Sequence, residues 1–194
     1  MDNHRRKFLQ GGLLAAGSLI VLPKLEAQPL HQAHGSDLEI VASKTSSEKD
    51  FDFYLGHWKI HNKKLKTRLN NHTEWEEFEA TCDFHKILGG MGNTDYYHAP
   101  PFEGCSLRLF NPKTRLWTIY WADNVKVALD PPVVGSFENK IGKFFSKDLF
   151  QGKEITVQFL WDATDPDHPQ WSQAFSPDSG NTWEWNWYMF NSRA

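Results

Sequence analysis

Glu77, Arg108, Asp123, Gln173 and Asn186 are polar side chains set within strongly apolar stretches, where each must find a hydrogen-bond partner or face water. Turned toward one interior, they would form a polar patch. A guanidinium offers a planar fork of donors suited to a carboxylate or carbonyl oxygen, and a carboxylate whose pKa is raised by burial can move a proton. Arg108 is then the candidate electrophile, with Glu77 or Asp123 as the candidate base. The same residues also fit a buried ion pair or plain outward exposure, and the sequence leaves both arrangements open. Nine tryptophans exceed the ordinary needs of a core this size. Trp117, Trp121, Trp171, Trp183, Trp185 and Trp187 are candidates to line a cavity. The expected ligand-binding set is therefore Arg108, Trp117, Trp121, Asp123, Trp171, Gln173, Trp185 and Asn186. Both faces of 183–190 are bulky, so alternation does not say which of them enters an interior.

Other chemistries find less support. A metal centre needs several His, Cys, Asp or Glu side chains to converge. His57 and His61 fall on the face opposite Trp58, His72 and His168 occupy turns, and His31 and His34 sit in a polar stretch; only His85 and His98 merit a test. No metal and no cofactor is expected. Neither cysteine has the electropositive setting of a reactive thiolate, and no Ser-His-Asp or Cys-His arrangement is evident. Cys82 and Cys105 fall on candidate strands with one strand between them, about 9–10 Å apart, beyond the roughly 7 Å limit for a disulfide. Two free, semi-buried thiols are expected.

The elements that would position these groups are short apolar and aromatic runs separated by turn residues, which predicts an all-β chain. Phe78, Ala80, Cys82 and Phe84 share one face, while Glu77, Glu79, Thr81, Asp83 and His85 share the other. Ile155, Val157, Phe159 and Trp161 repeat the pattern. About ten strands are expected between Trp58 and Phe190, joined by turns such as Asn139-Lys140 and Gln151-Gly152. Pro131-Pro132 makes 124–132 a loop, one long enough to border a cavity mouth. Gly89, Gly90 and Gly92 precede no helix and are read as a corner or bulge rather than a phosphate cradle. A meander this long closes most economically on itself, because closure removes unpaired edges. The expected fold is a single antiparallel up-and-down β-barrel.

Phe51-Asp52-Phe53-Tyr54-Leu55-Gly56-His57-Trp58 resembles the Gly-x-Trp opening of the calycin superfamily of lipocalins and fatty-acid-binding proteins. With Leu107-Arg108-Leu109-Phe110, 117–123, 130–135 and 171–176, the chain from Phe51 to Arg193 resembles a bacterial family of calycin-like domains with unassigned function. The resemblance implies a calycin-like barrel in which Gly56 and Trp58 are structural and Trp58 closes the base under Arg193. A haem in such a barrel would want an inward His, which the last strands lack.

Arg5-Arg6-Lys7-Phe8-Leu9-Gln10 resembles a twin-arginine export signal, and the apolar run from Gly11 to Leu22 is too short to span a membrane. Residues 1–27 are expected as a signal peptide, 28–48 as a disordered tether and 49–194 as the barrel domain. The signal carries Arg5, Arg6, Lys7 and Lys24 against Asp2 and Glu26, so the chain's 21 basic and 24 acidic residues become 17 and 22 on its removal. That balance argues against nucleic acid as a partner, and the basic cluster Lys59 to Lys66 is read as solvated surface. The expected location is the periplasm or the exterior, reached through the export machinery, with no integral membrane segment once the signal is gone. The leading expectation is binding of a small, mostly apolar ligand inside the barrel. The alternative is a cofactor-free isomerase, cyclase or hydrolase in the same cavity. A third is sugar recognition, which would require exposed tryptophans.

Overall fold

A computed structural model describes residues 40–194 of the chain; the expected signal peptide 1–27 and residues 28–39 lie outside the described residues. Ten antiparallel strands run β1 (Gly56–Leu65), β2 (Trp75–Ile87), β3 (Gly92–Ala99), β4 (Phe102–Asn111), β5 (Leu116–Asp123), β6 (Val133–Glu138), β7 (Ile141–Phe150), β8 (Lys153–Asp162), β9 (Gln170–Ser176) and β10 (Glu184–Arg193). Each pairs with its chain neighbours, and β10 returns to β1, so the sheet closes as an up-and-down barrel with no free edge. Among the described residues no helix is long and apolar enough to cross a membrane.

Alternation decides which residues enter. Trp58 and Ile60 on β1, Ala80, Cys82 and Phe84 on β2, and Ile155, Val157 and Trp161 on β8 are buried inside. Asn139-Lys140 and Gln151-Gly152 both take positive φ at each central residue, the twist that suits tight hairpins. Gly89 and Gly90 turn a sharp corner between β2 and β3, at φ 64 and 97.

One end is stoppered. A short 3-10 turn, Asp52–Tyr54, carries Phe51 and Tyr54 into the barrel, each 2 % exposed. Phe51 meets Trp117 and Phe137 edge-on at 5.0 Å, and Tyr54 stacks on Trp58 at 4.8 Å. Trp58 is fully buried and donates its indole N–H to the Tyr54 carbonyl. Arg193 lies over the Trp58 ring at 4.0 Å and donates to the Leu55 and Phe53 carbonyls. Gly56 takes φ 104, a conformation that resists any Cβ.

Two expectations need correction. Residues 40–48, expected to end a disordered tether, are tied to the barrel. Ser46 is buried and donates to Asp50, Arg115 donates to the Ser46 carbonyl, and Ser43 N–H donates to Ser136. Polar composition hid this because the ties are hydrogen bonds rather than apolar burial. The thiols are also unlike one another. Both are free, but Cys82 is buried inside and Cys105 is exposed outside, with β3 between their strands.

Candidate ligand cavity

Above the stopper the barrel is hollow, enclosing a cavity of about 500 Å³, within the range of ordinary small-molecule sites. Its wall is aromatic: Trp121, Trp161, Trp171 and Trp187 line it with Phe159 and Phe175. Rings brace one another, Trp171 meeting Phe159 at 4.9 Å and Trp187 at 5.5 Å, so the wall is held in shape. The mouth lies at the end where β1 leads to β2, β5 to β6 and β7 to β8. Arg68, Val125, Lys126, Asp130, Pro131 and Leu149 frame it.

Arg108 is 5 % exposed and reaches the cavity from β4. Its Nη2 pairs with Asp95 Oδ2 at 2.6 Å and donates to Ser106 Oγ at 3.2 Å, while Nη1 donates to Asn93 Oδ1 at 3.4 Å. Asp95 accepts a further N–H, from Ser106. The guanidinium also lies about 5 Å from the Phe51 and Phe84 rings. Its charge is thus neutralised inside the protein, yet Nε is buried with no partner. Around this patch burial pushes the Tyr54 phenol and the Cys82 thiol well up from their ordinary values, so both stay neutral.

The other expected site residues divide. Trp121, Asp123, Trp171 and Gln173 line the cavity with Arg108. Asn186 is fully buried behind the wall and accepts the Gln173 amide N–H at 2.8 Å. Trp117 stands instead in the stopper, its indole donating to Asp50 at 3.0 Å. Trp185 is opposite Ala174, outside the wall, because a bulge between Trp185 and Trp187 at Asn186 shifts the register and sends Trp187 inward. Glu77 is on the outer surface, exposed and 3.5 Å from His61; the parity that turns Phe78 toward the core turns it outward. Asp123 accepts N–H bonds from Trp121, Val125 and Lys126. Partial burial pushes its pKa up, but the Lys126 amide, the Trp121 indole and the Val125 amide together hold it below the usual value. It is a positioned acceptor and a poor base.

Sequence reasoning missed Asp95, Lys64, Arg68 and Trp161. Asp95 could be found only through the β3–β4 register, which places Asn93 opposite Arg108 and Asp95 opposite Ser106. Lys64 carried a signal, being two residues beyond Asn62 and four beyond Ile60 on the face that starts at Trp58. The reading of Lys59 to Lys66 as solvated surface is corrected for Lys64, which lines the cavity. Every described histidine stands outside the lining, and no cluster of three metal-ligating side chains occurs among the described residues. None of the nine tryptophans, all described, is exposed; Trp75, Trp121, Trp183, Trp185 and Trp187 are partly buried and the others are buried.

No family model matches the chain, and comparison with curated proteins finds no match. Among solved structures, the chain is similar in shape to an S-type phycobiliprotein lyase from Guillardia theta, at 10 % identity and a TM-score of 0.49, covering 78 % of this chain and 94 % of that one.

Proposed function

We propose that this protein is an exported binding barrel for a small, mostly apolar molecule. The observation that carries the reading is the roughly 500 Å³ aromatic-walled cavity, open at one end and stoppered at the other. Burying about 200 Å² of apolar ligand surface contributes about 5 kcal/mol at 25 cal/mol per Å², and lost translational and rotational freedom offsets much of this. Useful affinity then needs polar contacts as well, and Arg108, Asp123 and Gln173 are polar residues of the cavity lining. Native mass spectrometry of protein purified from its own cell envelope should show a small apolar adduct that denaturation releases. Protein that never carries an adduct and ignores apolar fluorescent probes would sink the reading.

Export rests on Arg5-Arg6 before a short apolar run. Replacing both with Lys should leave uncleaved precursor in the cytoplasm, detected by fractionation; unimpaired export would refute the twin-arginine route. No observation favours catalysis over binding, since Glu77 is outside and the carboxyl of Asp123 is held low.

A further inference from the structure

Two cations project into the mouth without a carboxylate partner. Lys64 is the last inward residue of β1, and its Nζ lies 4.4 Å from the centre of the Trp187 ring and 5.3 Å from that of Phe102. Arg68 follows in the β1–β2 connection, with its guanidinium 5.5 Å from the Phe175 ring and its Nε buried without a partner. Among the described residues neither has an acidic oxygen within 4.0 Å, whereas Arg108 below them has Asp95 at 2.6 Å.

The acidic groups near the mouth are engaged elsewhere. Asp123 takes the three N–H bonds described above, Asp130 takes Lys126 at 2.7 Å, and Glu184 takes the Leu69 N–H at 2.9 Å. Asp148 accepts the Leu149 N–H. Glu76, which also acts on both cations, is exposed.

Burial and then the neighbouring Arg68 charge push the Lys64 pKa down, against a smaller upward pull from the Glu76 and Asp123 carboxylates, and burial pushes Arg68 down against Glu184 and Glu76. Two like charges, partly stripped of water and close enough to repel, are an unfavourable arrangement for an empty barrel. An anion between them would relieve it and would gain charge-assisted hydrogen bonds from both. The floor gives no such incentive, because its guanidinium is already neutralised.

We infer that the ligand is an amphipathic organic acid, bound with its apolar body in the barrel and its carboxylate, or a comparable oxyanion, between Lys64 and Arg68 at the mouth. The inference rests on the binding-barrel reading and adds the class and orientation of the ligand. Aromatic faces beside Lys64 hold its ammonium over the opening without neutralising it, and the Leu69–Glu184 contact fixes the segment that carries Arg68.

A matched pair of fluorescent probes tests this at neutral pH: anilinonaphthalene sulfonate, and phenylnaphthylamine, which has the same ring body and no sulfonate. The sulfonate should bind about tenfold more tightly than the neutral probe, the expected scale for a charge-assisted contact. Lys64→Gln with Arg68→Gln should abolish that preference, and continued binding of phenylnaphthylamine by the variant shows that the barrel still folds. Lys64→Arg with Arg68→Lys should keep the preference. Equal binding of the two probes by the natural protein, or a preference that survives the double Gln variant, would overturn the inference and leave the binding barrel standing. If neither probe binds, both proposals fall.

Discussion

The two ends of the barrel are built on opposite terms. At the stoppered end Tyr54 donates to Asn191, Asn191 to the Pro169 carbonyl, Trp58 to Tyr54 and Trp117 to Asp50. Rings fill the remaining space, and Arg108 has its carboxylate. At the open end Lys64 and Arg68 have rings for neighbours and, among the described residues, no carboxylate oxygen within 4.0 Å, and the wall itself thins. Only three residue pairs join β5 to β6, against ten between β7 and β8. The gap is bridged by 124–132, through an isolated Ala122–Leu129 bridge and the Asp130 N–H to the Trp121 carbonyl. Val127 holds φ 52 in that loop, an uncommon conformation for a β-branched residue. Stability is concentrated where the charges are paired and the rings close-packed; binding capacity lies where Lys64 and Arg68 lack a close carboxylate.

Substitutions at the stopper should therefore cost most. Trp58→Ala removes a fully buried ring and the surface under Arg193, and a loss of about 4–5 kcal/mol is expected from chemical denaturation. A loss under about 1 kcal/mol would mean that the stopper does not hold the fold. Arg108→Met comes next, at about 3 kcal/mol, because it strands the Asp95 carboxylate in an apolar setting. Adding Asp95→Asn should recover more than half. Failure of that rescue would show that Arg108 acts through its contacts with Ser106 and Asn93 rather than through charge.

Much of this contrast was legible in the sequence where alternation is regular. Phe78 to Phe84 and Ile155 to Trp161 announce their inner faces, and β5 and β6 end where the 124–132 loop and the Asn139-Lys140 turn indicate. Alternation failed where the chain breaks its own period. The bulge at Asn186 shifts the register between Trp185 and Trp187 and sends Trp187 inward, so no single parity describes β10. Glu77 illustrates a different error, in which apolar neighbours in sequence were given more weight than the face on which it stands. Asp95 was hidden because its meaning lies across strands: a carboxylate on β3 becomes a partner for Arg108 only once the register is known. Lys64 was obscured by other lysines, of which Lys59 and Lys66 are exposed.

Moving from floor to mouth, the effects on stability should shrink while those on binding grow. Glu184→Ala releases the Leu69 N–H to water, which can replace the lost acceptor, so a cost of about 1 kcal/mol is expected. The segment bearing Arg68 should loosen, and bound sulfonate probe should dissociate several-fold faster in stopped-flow displacement. Unchanged dissociation would mean that the segment does not help to retain the ligand.

The smallest effect on stability is expected at Lys64, and its sign is the informative part. Burial and Arg68 hold the Lys64 pKa below its ordinary 10.5, so the folded protein binds the proton less firmly than the unfolded chain. The cost of housing the charge is fully present below the lowered folded pKa, and it disappears as pH rises toward the unfolded value. Lys64→Gln should therefore be as stable as the natural protein or more stable by a few tenths of a kcal/mol at neutral pH, within roughly the range of surface changes. That advantage should narrow as the pH is raised, in paired denaturation curves of the two proteins. Ligand acid should act in the opposite sense, since an oxyanion beside Lys64 favours the charged ammonium; its affinity should fall as pH rises through the Lys64 titration. A variant less stable than the natural protein at neutral pH, with a deficit that persists on raising the pH, would mean that Lys64 is already paired in the empty barrel, and the contrast between the two ends would lose its basis.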